Sequence, residues 1–233
     1  ISPNNTLTVG DGSAGSINAN STITDSGILN INVPTNSAIS LLNNLAAANG
    51  TLNILGAGPN ATVTISPISS SFNGTVNIAQ NATLVLGTNI ALVNATLNLT
   101  NGTFINGSLS TFNFGTLTDA SIGGLIGTND LALNSTTSQP VALTLGNSPT
   151  SSLSYSGNLS GLGSLTKSGS GTVNLSGKDN FTGLITLTAG TLNLGGNVQT
   201  NGGILVTGGT LNLTGTNNNY NGSTIVNGTV SFN

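Results

Sequence analysis

The sequence predicts an all-β protein that folds as a right-handed parallel β-helix (β-solenoid) with coils of about 19–24 residues. Three observations predict this fold: a short motif recurs at constant spacing, each copy alternates polar with apolar residues, and Gly and Asn separate the copies. Such recurrence is typical of repeat architectures, in which a unit buries its apolar face only by stacking on its neighbours. We therefore expect residues 1–233 to form a single elongated domain.

The repeat is clearest in the C-terminal third of the chain. Gly-Thr followed by an apolar-polar-apolar triplet begins at Gly171, Gly190, Gly209 and Gly228, so the interval between copies is the same each time. The alternation has the period of two expected of a strand with one buried face. A repeat of about 19 residues is too short for a β-α-β unit, which needs about 30, but it suffices for one coil of a β-solenoid.

The register of these copies predicts which side chains point into the core. Two inward columns are expected, formed by Val173, Leu192, Leu211 and Val230 and by Leu175, Leu194, Leu213 and Phe232. A later column, from a second strand in each repeat, consists of Leu187, Val206 and Ile225. The outward columns are Thr172, Thr191, Thr210 and Thr229, and Asn174, Asn193 and Asn212. Coils stacked about 4.8 Å apart favour this arrangement, since equivalent residues then contact one another along the axis.

The same pattern continues upstream with looser spacing. The clearest candidate strands are residues 28–31, 51–54, 75–78 and 96–99. Further strands are expected at residues 62–65, 83–86, 112–117, 141–145 and 153–155. About ten coils would form a rod of roughly 45–50 Å.

The segment 37–48 departs from this pattern. Its apolar residues recur at helical spacing, with Asn36 before it as a cap and Gly50 after it as a stop. The spacing predicts a short helical insertion, which would form a cap or a partner surface. A simple insertion in one coil is the alternative, and we prefer it to a cap or a partner surface.

The composition excludes several classes of function. The chain contains no Cys, His, Trp, Met, Arg or Glu, and its only basic residues are Lys167 and Lys178. Two lysines cannot neutralise the phosphates of a nucleic acid, nor can they form a basic helix that lies on a membrane. No apolar run approaches the roughly 18 residues of a spanning helix, so membrane insertion is not expected.

Catalytic, metal and cofactor sites are not expected either, and the protein is predicted not to be an enzyme. The acidic residues are scattered without the spacing of a coil and are interpreted as isolated surface or corner residues: Asp11, Asp25, Asp119, Asp130 and Asp179. Zinc sites need His or Cys, and Gly10-Asp11-Gly12 lacks the repeated Asp of calcium-binding solenoids. Lys167 and Lys178 are interpreted as solvated surface residues, with pairing to Asp179 or to an acidic ligand as the alternative.

One stretch of the chain resembles a known family. Residues 165–177 read Leu-Thr-Lys-Ser-Gly-Ser-Gly-Thr-Val-Asn-Leu-Ser-Gly, and an aromatic-Thr-Gly triplet (residues 181–183) and Ala-Gly-Thr-Leu (189–192) follow. This pattern resembles the passenger-associated transport repeat, also called the autotransporter-associated β-strand repeat. A second copy from Gly209 lacks the Leu-Thr-Lys opening. The resemblance covers about residues 163–230.

The resemblance implies a type V secretion passenger, exported unfolded and folded outside the cell. It implies an extracellular location on the surface of a Gram-negative bacterium and a stalk that serves adhesion, with host-cell glycans or surface proteins as partners. A self-assembling filament or surface-layer subunit is the alternative, because the last strand (residues 229–233) has no visible cap against end-to-end association. No signal peptide is visible and the chain begins at Ile1, which is typical of a mature or excised piece.

Overall fold

In the computed structural model the chain forms a parallel β-helix, as the repeat predicts. The structure describes residues 1–11, 17–18, 21–79, 81–100, 111–146, 152–216 and 218–232. Every regular element in these ranges is a β-strand, and every ladder between two of these strands is parallel.

The strands are short and are numbered here in chain order. They are β1 (Thr6–Val9), β2 (Thr22–Ile23), β3 (Ile28–Val33), β4 (Ala38–Leu41), β5 (Asn44–Leu45), β6 (Thr51–Gly56), β7 (Ala61–Ile65), β8 (Thr75–Ile78), β9 (Ala82–Leu86), β10 (Leu92–Leu99), β11 (Thr111–Asn113), β12 (Asp119–Gly127), β13 (Leu131–Ala132), β14 (Ala142–Leu145), β15 (Ser152–Tyr155), β16 (Leu159–Gly161), β17 (Ser164–Lys167), β18 (Thr172–Leu175), β19 (Asp179–Phe181), β20 (Ile185–Leu187), β21 (Thr191–Leu194), β22 (Val198–Thr200), β23 (Ile204–Val206), β24 (Thr210–Leu213), β25 (Asn219–Tyr220), β26 (Thr224–Val226) and β27 (Thr229–Phe232).

In the C-terminal half each coil contains three strands that form three sides. A coil begins with β17 and continues through β18 and β19, and the chain then returns as β20, which pairs with β17. The following strands repeat the arrangement, so β21 pairs with β18 and β22 pairs with β19. Strand β12 begins this three-sided part, because its first residues pair with β14 and its last residue, Gly127, pairs with Tyr155 of β15.

The two predicted inward columns of the repeat are confirmed. Val173, Leu192 and Leu211 pair in succession and are at most 2% exposed. Leu175, Leu194 and Leu213 form the second column and are at most 5% exposed. Val230 pairs with Leu211 and is partly buried. The side chain of Phe232 lies outside the described residues, although its backbone pairs with Leu213.

The third predicted column is wrong at its last member. Leu187 pairs with Val206, and Val206 pairs with Val226 rather than with Ile225. Ile225 pairs with Leu205 on the outward register and is 55% exposed. The cause is one extra residue in this coil, since a shift of one position moves a strand's inward side chains to the outside.

The upstream candidate strands are also confirmed, with one exception. The strands expected at residues 28–31, 51–54, 75–78 and 96–99 lie within β3, β6, β8 and β10 and stack in that order. Residues 62–65, 83–86, 141–145 and 153–155 correspond to β7, β9, β14 and β15. Only the start of the segment 112–117 is a strand, because the chain turns at Gly115, whose φ of 56° is left-handed.

The short helix expected over residues 37–48 is wrong. The segment forms β4 and β5. Leu41 and Leu45 both point into the core, and each is at most 5% exposed. Asn43 turns the chain between the two strands, since its side-chain amide donates to the carbonyl oxygens of Asn18 (2.7 Å) and Ser21 (2.9 Å). A corner between two short strands thus reproduces the four-residue spacing of a helical face. The segment belongs to a regular coil, since β4 pairs with β7 and β5 pairs with β2.

Candidate functional site

One side of the solenoid carries an almost continuous column of asparagine. We call it the asparagine face, and its strands are β1, β3, β6, β8, the second half of β10, the second half of β12, β15, β18, β21, β24 and β27. The outward column contains Asn30, Asn53, Asn77 and Asn98 in the N-terminal half and Asn174, Asn193 and Asn212 in the C-terminal half. The predicted outward column of Asn is therefore confirmed, and it extends upstream of the repeat.

The asparagine side chains are hydrogen-bonded to one another from coil to coil. In the N-terminal half, the amide of Asn53 donates to Oδ1 of Asn30 at 2.8 Å, and the next two steps up to Asn98 are 2.9 Å each. In the C-terminal half, Asn193 donates to Oδ1 of Asn174 at 2.6 Å and Asn212 donates to Oδ1 of Asn193 at 2.7 Å. An amide has two N–H donors and an oxygen with two lone pairs, so a residue that makes only the two ladder bonds, such as Asn53, Asn77 or Asn193, keeps one donor and one lone pair for a ligand.

The column is interrupted at the junction of the two halves. Asn98 pairs with Ile126, and the pairing of Gly127 with Tyr155 places Ile126 beside Ser154. Asn174 then pairs with Ser154 and donates to the carbonyl oxygen of Leu153 at 2.9 Å. Two separate polar ladders therefore lie on one face of the rod.

A threonine column runs beside the asparagine column. Its C-terminal part is the predicted set, Thr172, Thr191, Thr210 and Thr229, which pair in succession. Its upstream members are Thr51, Thr75 and Thr96. None of the strands of this face contains Asp or Lys in the residues that form it. The face is therefore polar, regular and uncharged.

A shallow groove lies at the C-terminal end of this face. It has a volume of about 540 Å³ and is lined by Asn174, Asn193 and Asn212 on one side and by Ser176, Gly195 and Thr214 two positions further along each strand. Gly195 has room for a side chain, because a Cβ there would be 3.5 Å from its nearest neighbour, Oγ1 of Thr214. The missing side chain opens the middle of the groove.

Lys167 does not lie at the surface, so its interpretation as a solvated lysine is wrong. It is 1% exposed and occupies an inward column between Leu145 and Leu187. Its ammonium donates to the carbonyl oxygens of Ser168, Gly169 (2.8 Å) and Ala189 (3.2 Å). Burial lowers the pKa of this ammonium. The alternation Leu165-Thr166-Lys167 places Lys167 inward, and this is the signal that could have identified it.

Two of the five aspartates are also buried, so their interpretation as surface residues is wrong, although the backbone groups that they bind lie at coil corners. Asp179 is 1% exposed, and its Oδ1 accepts the N–H of Leu159 at 2.9 Å. Burial raises the pKa of Asp179 to about 7. Asp25 is 3% exposed, its Oδ1 accepts the N–H of Gly27 at 3.1 Å, and burial raises its pKa too. The second oxygen of each carboxyl group has no hydrogen-bond partner among the described residues.

The remaining charged residues are exposed and do not converge. Asp11, Asp119, Asp130 and Lys178 all lie at the surface. Oδ2 of Asp119 accepts the amide of Asn89 at 2.5 Å, and Oδ1 of Asp130 accepts the N–H of Asn158 at 2.9 Å. Within the described ranges, no group of three or more acidic residues could hold a metal ion. The asparagine face and its groove are therefore the best-defined candidate site.

The part of the chain that the structure describes contains no helix long and apolar enough to cross a membrane. No family model, curated protein or solved structure matches the chain. The geometry and the sequence pattern are thus the basis for a functional proposal.

Proposed function

We propose that the chain is an extracellular stalk segment of a bacterial surface protein secreted by the type V route, and that it combines a structural with an adhesive role. The observation that carries this proposal is the asparagine face, an uncharged surface on which two polar ladders follow most of the stack of coils.

The structural role follows from the continuity of the stack. Eleven strands stack on the asparagine face, and ten steps of about 4.8 Å give a length of about 48 Å. A single apolar cluster extends from Leu29 to Leu213 through the interior. Each coil contacts its two neighbours only, so further coils would lengthen the rod without changing its cross-section.

The adhesive role follows from the chemistry of the outer face. Asn and Thr side chains make neutral hydrogen bonds that are individually weak. A stack of coils presents the same groups repeatedly, so a multivalent ligand gains affinity through avidity. Binding of this kind is expected to depend little on salt, since screening acts on charges.

The type V route is supported by the residues that resemble the passenger-associated repeat. Lys167 binds three corner carbonyl groups, Phe181 is 1% exposed, and Gly190 has a left-handed φ of 73° at a coil corner. These three positions of the motif therefore have defined places in two consecutive coils, because Gly190 follows β20, the strand that stacks on the strand of Lys167. The chain also contains no Cys, so no disulfide loop would hinder export in an unfolded state.

The test is surface display and adhesion in the bacterium that encodes the chain. We expect an antibody against the segment to label intact cells, external protease to remove that label, and a deletion strain to adhere less to host cells. Labelling only after lysis would overturn the extracellular location. Normal adhesion of the deletion strain would overturn the adhesive role.

The second candidate, a self-assembling filament or surface-layer subunit, is favoured by several large apolar side chains that are exposed. Leu7 is 46% exposed, and Ile225 and Val226 are 55% and 43% exposed. Light scattering of the purified chain distinguishes the two candidates. Particle mass that grows with concentration would favour assembly, and a constant monomer mass would favour the stalk.

A further inference from the structure

We propose that the groove on the asparagine face binds a neutral polysaccharide in an extended conformation, which lies along the axis of the rod. This inference rests on the adhesive function proposed above and names the ligand class of that surface. Three properties of the groove support this ligand class: its hydrogen-bonding capacity, its spacing and its lack of charge.

The hydrogen-bonding groups of the groove are already fixed before a ligand arrives. Asn174, Asn193 and Asn212 are half-buried, and the ladder bonds of 2.6 and 2.7 Å hold their amides in one orientation. Ordering free side chains costs about 0.5–1.5 kcal/mol for each one immobilised, and here the fold has ordered them. Asn193 and Asn212 each keep an N–H donor and lone-pair capacity outside the ladder, which suits the hydroxyl groups of a sugar, because a hydroxyl also donates and accepts. The amide of Asn174 donates within the protein, so this residue offers its oxygen.

The spacing of the groove favours an extended polymer. The three amides lie on consecutive coils in direct register, so they form a straight line with one step of about 4.8 Å per coil. A polymer that repeats similar hydroxyl groups along a straight line can contact several coils at once. A polysaccharide that coils into a helix turns away from the face and can contact fewer of them.

The charge of the surroundings favours a neutral ligand. The groove contains no ionisable side chain, and the ammonium of Lys167 is buried and occupied by carbonyl oxygens. Sulfated or carboxylated polysaccharides would lose hydration in the groove without gaining an ion pair. A neutral polysaccharide does not incur this cost.

The experiment measures binding of two neutral glucose oligomers of equal length to the native chain. We expect cellohexaose, which is extended, to bind at least ten-fold more tightly than maltohexaose, which curves, and heparin not to bind. We also expect cellohexaose to shift the side-chain amide NMR signals of Asn174, Asn193 and Asn212 while those of Asn30, Asn53 and Asn77 shift less. Equal binding of both oligomers, tighter binding of heparin, or no shift at the groove would overturn the inference.

A matched pair of variants locates the site. Gly195→Leu fills the groove, and its Cβ is accommodated, since no contact is closer than 3.5 Å. Asn180→Leu places the same side chain at an exposed position of β19, on a different side of the coil. We expect at least a ten-fold loss of cellohexaose binding in Gly195→Leu and no loss in Asn180→Leu, with unchanged unfolding midpoints in both. Equal binding by the two variants would overturn the assignment to this groove.

Adhesion of the native chain to host cells separates the two proposals. If cells bind the chain but cellohexaose does not, the polysaccharide assignment fails and the adhesive function stands. If neither binds, both fail. Cell binding that survives removal of surface glycans but is abolished by protease would point to a protein partner and would also overturn the polysaccharide assignment.

Discussion

Replacing Asp179 with Asn tests whether a buried acid makes the stability of the rod depend on pH. The carboxyl group is 1% exposed, Oδ1 accepts one N–H, and Oδ2 has no partner in the described part of the chain. Burial therefore disfavours the ionised form and raises the pKa from 3.8 to about 7. Asn has the same shape, keeps an oxygen for the N–H of Leu159, and cannot ionise.

The sign and size of the effect follow from this raised pKa. Because the folded state holds the proton more tightly than the unfolded state, the native chain is most stable below about pH 4 and loses stability as pH rises toward 7. The gap between 3.8 and about 7 corresponds to about 4 kcal/mol at 1.36 kcal/mol per pKa unit. Asp179→Asn should remove this loss, at a cost of about 1–3 kcal/mol at all pH values for its buried, unpaired N–H₂ group.

The assay is urea unfolding of the native chain and the variant at intervals from pH 4 to pH 8. We expect the native midpoint to fall with rising pH and the variant midpoint to fall much less. A remaining slope of the same sign belongs to Asp25, whose pKa burial also raises. The control is Asp119→Asn at an exposed position, which should retain the native slope. Parallel slopes for the native chain and Asp179→Asn would refute the reasoning.

Three further predictions concern the register, the corners and the buried ammonium. Leu194→Asp, at a fully buried position, should lower the free energy of unfolding by several kcal/mol, whereas Asn193→Ser on the outer face should lower it by about 1 kcal/mol or less; equal losses in urea would contradict the register. Gly209→Ala should destabilise the chain by more than about 1 kcal/mol, because φ is 87° and a Cβ would lie 2.3 Å from a carbonyl oxygen. Gly195→Ala, whose Cβ would make only ordinary contacts of 3.5 Å or more, is its control and should leave the thermal midpoint unchanged. Lys167→Met should cost about 1–3 kcal/mol, since it leaves three carbonyl groups without their donor; native stability in this variant would show that the ammonium is dispensable.

The inward and outward columns of the repeat could be predicted because two independent patterns agree. The alternation defines the two faces of a strand, and the constant interval between copies aligns Val173 with Leu192 and Leu211. Where a coil gains one residue, the alignment fails. The coil that leads to Ile225 is one residue longer, so Val226 rather than Ile225 pairs with Val206. For this reason Ile225 was wrongly assigned to the inward column.

The errors in other places have two physical causes. Spacing alone cannot distinguish a helical face from two strands joined at a corner, as the segment with Leu41 and Leu45 demonstrates. Charged residues are usually exposed, and this expectation led to a surface assignment for Lys167 although the alternation of its strand places it inward. The same expectation led to the surface assignment of Asp25 and Asp179. At these three positions backbone N–H or carbonyl groups at the coil corners bind the charged side chain, and such partners are not visible in a sequence.

The position of both asparagine ladders on one face was beyond prediction from the sequence. Irregular coils around β12 separate the ladder of the N-terminal half from that of the C-terminal half. The coil from Asn98 to its partner Ile126 is much longer than the coil from Ser154 to its partner Asn174. A constant repeat interval in the sequence cannot predict which residues pair where the coil length changes in this way. Only the pairing of Gly127 with Tyr155 establishes that both ladders lie on one side.

The most direct test of the central claim, adhesion through an uncharged face, is binding of the purified chain to host cells across a salt series. The native chain is compared with Asn193→Lys, which places a charge in the middle of the C-terminal ladder. We predict that native binding persists from low to high salt, because almost no charge contributes to it, and that the variant binds cells more weakly or becomes salt-dependent. Native binding that is lost on modest addition of salt would contradict the account.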